Sequence, residues 1–176
     1  MTGRYRIKQA EGLAEIEAAA RLVVAVVRES YGRIVSAAVV DAMTSEDYVV
    51  PRIHTWWQAT LSGARIWLAQ RTTDENLVAM AYADDSDDPD APTLLELKML
   101  FALDEAKGSG LADELLQTAI GNSPAFLWTL SGNDRAIGFY RRHGFALDGA
   151  SRVSEHLTAG REGVQPPTEI RLVRLA

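Results

Sequence analysis

The residues best suited to chemistry fall in two segments. The first is Lys107-Gly108-Ser109-Gly110-Leu111-Ala112, directly after the apolar run Leu94 to Leu103 and directly before a stretch with helical spacing. A glycine-rich turn feeding a helix N-terminus suits an anion, because small residues let backbone N–H groups approach and the helix dipole favours negative charge. Alone, the hexamer reads either as a tight strand-to-helix turn or as a site for a phosphate or pyrophosphate. A dinucleotide-binding fingerprint fails here, since Asp113 stands where Gly-x-Gly-x-x-Gly needs its third glycine. The second segment runs from Asn133 to Phe145. Asn133 suits the start of a helix, where its side chain can satisfy a free backbone N–H. Phe139, at helical spacing from Ala136, reads as core. Tyr140 carries a phenol that needs a partner when buried and can give up a proton.

The elements around these segments alternate in type. Tyr5-Arg6-Ile7-Lys8 predicts a short first strand. Ile16, Ala20, Val23, Val27 and Tyr31 form one apolar stripe of a helix from Glu11 to Tyr31, which Gly32 is expected to end. A second helical region covers Ser36 to Leu61, and Pro51 is expected to break it, because proline lacks an N–H and clashes with the preceding turn. Ala64 to Gln70 and Asn76 to Ala83 read as a hairpin closed by the polar connection 71–75. Leu94 to Leu103 is the most apolar strand, and its loss of alternation places it centrally with both faces buried. Gly110 to Ile120 is a helix with the stripe Leu111, Leu115, Leu116 and Ile120. Phe126 to Leu130 is a strand and Asn133 to His143 a helix, with cations in its last turn and Gly144 just past it. Two short strands, Phe145 to Asp148 and Glu169 to Arg174, close the chain.

Composition bounds the function. A length of 176 residues fits one domain over 1–176 with a substantial core. A formal charge of −6 argues against binding a nucleic-acid backbone and leaves room for a cationic partner. With no cysteine, disulfides, thiolate metal sites and a cysteine nucleophile are excluded. No apolar stretch reaches the length of a membrane span, and the N-terminus lacks the apolar core of a signal peptide, so the expected location is cytoplasmic. The acidic run Asp84 to Asp90 reads as a solvated turn, since the glycine and distal glutamate of a calcium loop are missing.

Taken together, the segments Lys107–Ala112 and Asn133–Phe145 resemble the two acyl-CoA-binding motifs of the GNAT superfamily of N-acetyltransferases. The order of elements resembles that family's layout across nearly the whole chain. The resemblance implies an α/β fold, a mixed central sheet of about seven strands flanked by about four helices. It also implies acetyl-CoA as co-substrate and no metal. Lys107, Gly108, Ser109, Gly110, Leu111 and Ala112 would form the pyrophosphate turn, and Asn133 would contact the CoA arm as well as cap its helix. Phe101 and Ala102 lie on what resembles the family's fourth strand, whose backbone pairs with the pantetheine arm. Tyr140 occupies the position of the tyrosine proposed to protonate the departing thiolate.

Some relatives carry a glutamate base five residues before the motif asparagine, but here that position is Trp128. Glu96 is the substitute candidate, either as the base or as an ordinary strand carboxylate paired with Lys98. Asp104 reads as a turn residue. Trp56, Trp57 and His54 either line an acceptor pocket, where an aromatic wall would suit a cationic amine, or pack a helix onto the sheet. The expected function is acetyl transfer to a primary amine of a small molecule or peptide. The alternatives are a silent acyl-CoA-sensing module or a structural domain without cofactor. A homodimer is compatible with the resemblance, but no interface is marked.

Overall fold

The computed structural model describes residues 3–175. Its centre is a seven-stranded sheet in the order β1-β2-β3-β4-β5-β7-β6. The strands are β1 (Tyr5–Gln9), β2 (Arg65–Arg71), β3 (Leu77–Asp85), β4 (Leu95–Ala102), β5 (Ala125–Leu130), β6 (Ala146–Val153) and β7 (Thr168–Arg174). The helices are α1 (Leu13–Ser30), α2 (Ala37–Met43), α3 (Glu46–Leu61), α4 (Leu111–Ile120) and α5 (Asp134–Arg142). All paired strands are antiparallel except β4 and β5. Among the described residues no helix is long and apolar enough to cross a membrane.

Side-chain alternation divides β2 and β3 between two cores. Ile66, Leu68, Met80 and Tyr82 face α1, α2 and α3, where they meet Ile16, Val23, Val27 and Trp56. On the opposite face, Ala69, Ala79 and Ala81 meet Leu111 and Leu115 of α4. These alanines let α4 lie close to the sheet. A further cluster joins α4 and α5 to β5 and β7 through Leu116, Leu127, Ile137, Phe145 and Leu172. Burying each leucine-sized side chain contributes about 1.5–3 kcal/mol.

Three local expectations change. The helix α1 ends at Ser30 and tightens into a 3-10 turn over Tyr31–Arg33, so Gly32 lies within that turn and supplies no left-handed residue. Pro51 sits inside α3 and does not break it. Its missing N–H would bond the carbonyl of Asp47 in the exposed first turn, where water can take over. The chain divides instead at Thr44 and Ser45, where the Ser45 hydroxyl donates to the Ala42 carbonyl at the end of α2 (2.7 Å). This split gives five helices where about four were expected. Finally, β4 is central, but β3 is the strand buried on both faces; along β4 only Leu97 is fully buried. The remainder of β4 is half-buried because it borders an opening in the sheet.

Candidate functional site

The opening arises between β4 and β5, the one parallel pair. Their pairing consists of a single registered contact, Glu96 with Phe126, after which the strands diverge. A bulge on β4 bends the strand at that point: Leu97 opposes Ala83 and Met99 opposes Tyr82, leaving Lys98 as the extra residue. Past Glu96, the backbone groups of β4 that would pair with β5 have no strand to meet. Both strands then feed helices, β4 into α4 and β5 into α5, so two helix N-termini face one cleft.

A large cavity of about 970 Å³ occupies the cleft, and its walls include Phe101, Ala102, Lys107, Gly108, Gly110, Ala112, Asn133 and Tyr140. The turn before α4 depends on two left-handed glycines, Gly108 (φ 76°) and Gly110 (φ 85°). Any Cβ at either position would meet open space, so glycine is needed for the backbone angle and not for room. At the start of α4, Leu111 N–H bonds the Ser109 hydroxyl (3.3 Å) and Glu114 N–H bonds the Gly110 carbonyl (3.1 Å). The N–H groups of Gly108, Gly110, Ala112 and Asp113 have no protein acceptor among the described residues. Free donors at and just before a helix N-terminus suit an anion such as a pyrophosphate.

Ser109 and Leu111 do not line the cavity. The Ser109 hydroxyl donates to the Ala106 carbonyl (2.6 Å), and Leu111 is buried against β3. They shape the turn while their neighbours face the cleft. The Lys107 ammonium turns back to Asp104 and to the Ser30 hydroxyl (2.7 Å), so it braces the turn against α1. This contact holds the Asp104 carboxyl below its usual range. Asn133 caps α5, its side-chain oxygen accepting from Ala136 N–H (3.2 Å).

Tyr140 stands where the large cavity meets a second one of about 240 Å³. Its ring packs edge-on against Phe139 (5.3 Å between centroids) and Phe145 (5.7 Å) and is 7% exposed. The hydroxyl has no protein partner among the described residues and opens on the cavities. Burial pushes its pKa well above the ordinary 10.0, so the phenol stays protonated at neutral pH.

The smaller cavity extends from Tyr140 between α3, β4, β5 and the 3-10 turn Glu155–Thr158. Glu96 lines it and accepts from the Lys98 ammonium (2.7 Å), so the carboxylate faces the cavity while paired with its strand neighbour. Trp128 also lines it, with the Arg152 guanidinium 4.3 Å from its ring. Of the two readings of Trp56, Trp57 and His54, packing of the helix onto the sheet holds for the tryptophans, and none of the three lines either cavity. Trp56 is buried against Tyr82, Trp57 packs on the same core, and His54 points to solvent. The α3 residues that reach the smaller cavity are Tyr48 and Arg52, two turns and one turn before Trp56. His156 and Glu169 join them from the far end of the chain. His156 lies in the polar stretch before β7 and Glu169 within it, and neither had a motif to mark it. Burial holds the His156 pKa below its ordinary 6.5, with nearby Arg152 and Arg52 adding to the effect and Glu169 opposing it. Among the described residues no group of three or more His, Cys, Asp or Glu could hold a metal ion.

Residues 62–147 match the acetyltransferase (GNAT) domain family. Several solved structures share the fold across the chain. The PaiA N-acetyltransferase of Thermoplasma acidophilum, solved with coenzyme A, has a TM-score of 0.72 at 14% identity, covering 99% of this chain and 100% of its own. A GCN5-related N-acetyltransferase from Rhodopseudomonas palustris gives 0.70 at 14% identity, covering 100% and 98%. The yncA protein of Salmonella typhimurium, solved with acetyl-CoA, gives 0.65 at 16% identity, covering 99% and 95%. No curated protein matches the chain by sequence. With the splayed β4 and β5, the glycine turn before α4 and the capped start of α5, the chain has the GNAT fold, and its residues 62–147 carry the match to the acetyltransferase (GNAT) domain family.

Proposed function

We propose that the chain, as one GNAT domain over 1–176, is an acetyl-CoA-dependent N-acetyltransferase that moves the acetyl group to a primary amine by direct attack. The observation that carries this reading is the unpartnered, protonated Tyr140 hydroxyl at the junction of the two cavities. One cavity offers phosphate-binding N–H groups and a free strand edge. The other offers charged and aromatic side chains suited to a small polar acceptor.

Acetyl-CoA supplies the activated acyl group. The free N–H groups of Gly108, Gly110, Ala112 and Asp113 would hold its pyrophosphate, and the open edge of β4 near Phe101 and Ala102 would take its arm. An alkyl ammonium of pKa near ~10.4 must lose a proton before it attacks. We assign Glu96, held in place by Lys98, to attract the ammonium, and His156, neutral at pH 7, to accept its proton. The nitrogen lone pair then forms the N–C bond, and unpaired N–H groups of β4 stabilise the oxyanion. As the C–S bond breaks, Tyr140 gives its proton to sulfur, the cationic nitrogen passes its second proton through water to the Tyr140 phenolate to leave the amide, and the proton held by His156 is released to solvent.

One experiment tests the reading: thermal unfolding with and without acetyl-CoA, paired with thiol release in the presence of amines. Saturation at 100 times the dissociation constant adds about 2.7 kcal/mol of stability. Stabilisation with amine-dependent thiol release supports the enzyme. Stabilisation without any turnover would favour the silent acyl-CoA-binding module, a reading that Trp128 at the relatives' glutamate position keeps in play. No stabilisation at millimolar acetyl-CoA would sink both.

A further inference from the structure

The charges around the smaller cavity do not balance. Three cations face it, Arg52, Lys98 and Arg152, against two carboxylates, Glu96 and Glu169. Lys98 is paired with Glu96 (2.7 Å) and Arg152 with Glu169 (2.9 Å), whose same oxygen also accepts from the Ser154 hydroxyl (2.6 Å). Arg52 has no carboxylate within ion-pair distance among the described residues. Its guanidinium donates to the Tyr48 hydroxyl and lies over the rings of Tyr48 (4.2 Å) and Trp56 (5.5 Å). Burial is strong enough to lower the pKa of this arginine, although it remains charged.

A half-buried guanidinium without a counter-ion carries a desolvation cost that an anionic ligand group would offset. The cofactor's phosphates do not, because Arg52 lines only the smaller cavity while the free N–H groups before α4 face the larger one. A polycation such as a polyamine or an aminoglycoside would leave Arg52 opposed by further positive charge. A zwitterion fits both signs: its ammonium meets Glu96 and its anion meets Arg52. The cavity, about 240 Å³, has room for roughly eight water molecules, the scale of a small molecule.

We infer that the acceptor is a small amine that also carries an oxyanion, in the manner of an α-amino acid, with the Arg52 guanidinium binding the carboxylate or an equivalent phosphonate. Guanidinium forks match such groups with two parallel hydrogen bonds. This inference rests on the acetyltransferase reading and adds a substrate class to it.

The test is thiol release from acetyl-CoA with the twenty α-amino acids, their decarboxylated amines, the corresponding aminoalkylphosphonates, and spermidine. The wild-type protein is expected to prefer at least one oxyanion-bearing acceptor over its decarboxylated partner by roughly ten- to a hundredfold in kcat/KM. Comparing the carboxylate and phosphonate series identifies which oxyanion it takes. Arg52→Gln should abolish that preference through KM, leave acetyl-CoA affinity unchanged, and leave the melting temperature unchanged or raised, since it removes an unpaired half-buried charge. Arg52→Lys, which keeps the charge but not the fork, should be intermediate and serves if Arg52→Gln does not fold. If acetyl-CoA binds without turnover, calorimetry of the acetyl-CoA-loaded protein with the same panel applies the same criteria. Equal or better use of decarboxylated amines or spermidine, or an unchanged preference in the Arg52 variants, overturns the inference and leaves the acetyltransferase reading standing. If acetyl-CoA itself neither binds nor reacts, that reading fails first and the inference falls with it.

Discussion

Replacing Tyr140 by phenylalanine separates chemistry from structure more cleanly than any other change in this site. The substitution deletes one hydroxyl that has no protein partner among the described residues, so it leaves no buried group unsatisfied. The ring contacts to Phe139 and Phe145 persist. Folding stability should therefore change by about 0.5 kcal/mol or less, a melting shift of roughly 1–2 °C for a chain of this length. Turnover should fall far more. General-acid assistance contributes about 10²–10⁴-fold, and a thiol of pKa about 8.5 leaves readily enough to place this case at the lower end. A hundredfold loss corresponds to about 2.7 kcal/mol of transition-state stabilisation. The assay is initial-rate thiol release at saturating acetyl-CoA, with affinity measured separately by calorimetry. Because burial raises the Tyr140 pKa, its acid form persists through neutral and moderately alkaline pH, and wild-type kcat should show no alkaline loss from this group below about pH 10. A kcat within twofold of wild type would remove Tyr140 from the mechanism. A large fall in melting temperature would show that the hydroxyl is structural.

Three further perturbations probe the surrounding elements. Gly110→Val forces a β-branched residue to φ 85°, at a cost of roughly 1–3 kcal/mol, and should weaken acetyl-CoA binding by distorting the turn; normal affinity in a folded variant would refute the placement of the pyrophosphate. Asn133→Ala removes the cap on α5 and should destabilise the protein by about 1 kcal/mol in urea unfolding; no loss would mean that the cap contributes nothing. His156→Gln should depress kcat at pH 7 and remove an acid limb whose midpoint lies below 6.5, because burial makes protonation of this imidazole harder in the folded state. The linked stability is fully present above pH 6.5 and declines as pH falls through 6.5 toward the lower folded value, so the variant should lose less stability in acid than wild type. An unchanged acid limb would clear His156 of the proton-transfer role.

Local patterns were enough to mark the end of the cleft where α4 and α5 begin. Gly108 and Gly110 announced a turn that only glycine adopts easily, and both have positive φ. Asn133 announced a cap, and its side chain makes that hydrogen bond. The stripe Leu111, Leu115, Leu116 and Ile120 announced the buried face of α4. These features depend on residues within a few positions of one another, where backbone sterics and helical period act directly. Pro51 misled because its cost depends on what lies beside it, and the exposed start of α3 makes that cost small. The apolarity of β4 misled about burial because its partner strand diverges after one registered contact.

Apart from Tyr140 in its motif and Glu96, the residues lining the smaller cavity had no local signature. Arg52, Glu96, Tyr140, His156 and Glu169 come from five separate stretches of chain and meet only because the sheet order sets β7 beside β5 and folds α3 over the opening. The pairing of Arg152 with Glu169 depends on the register of β6 against β7. The lack of a carboxylate for Arg52 is likewise visible only once every neighbouring charge has its place. Sequence thus determined the local conformations, the glycine turn before α4 among them, since those follow from short-range sterics and hydrogen bonding. Tertiary structure decided the chemistry of the second cavity, because charge balance and burial are properties of distant residues brought together.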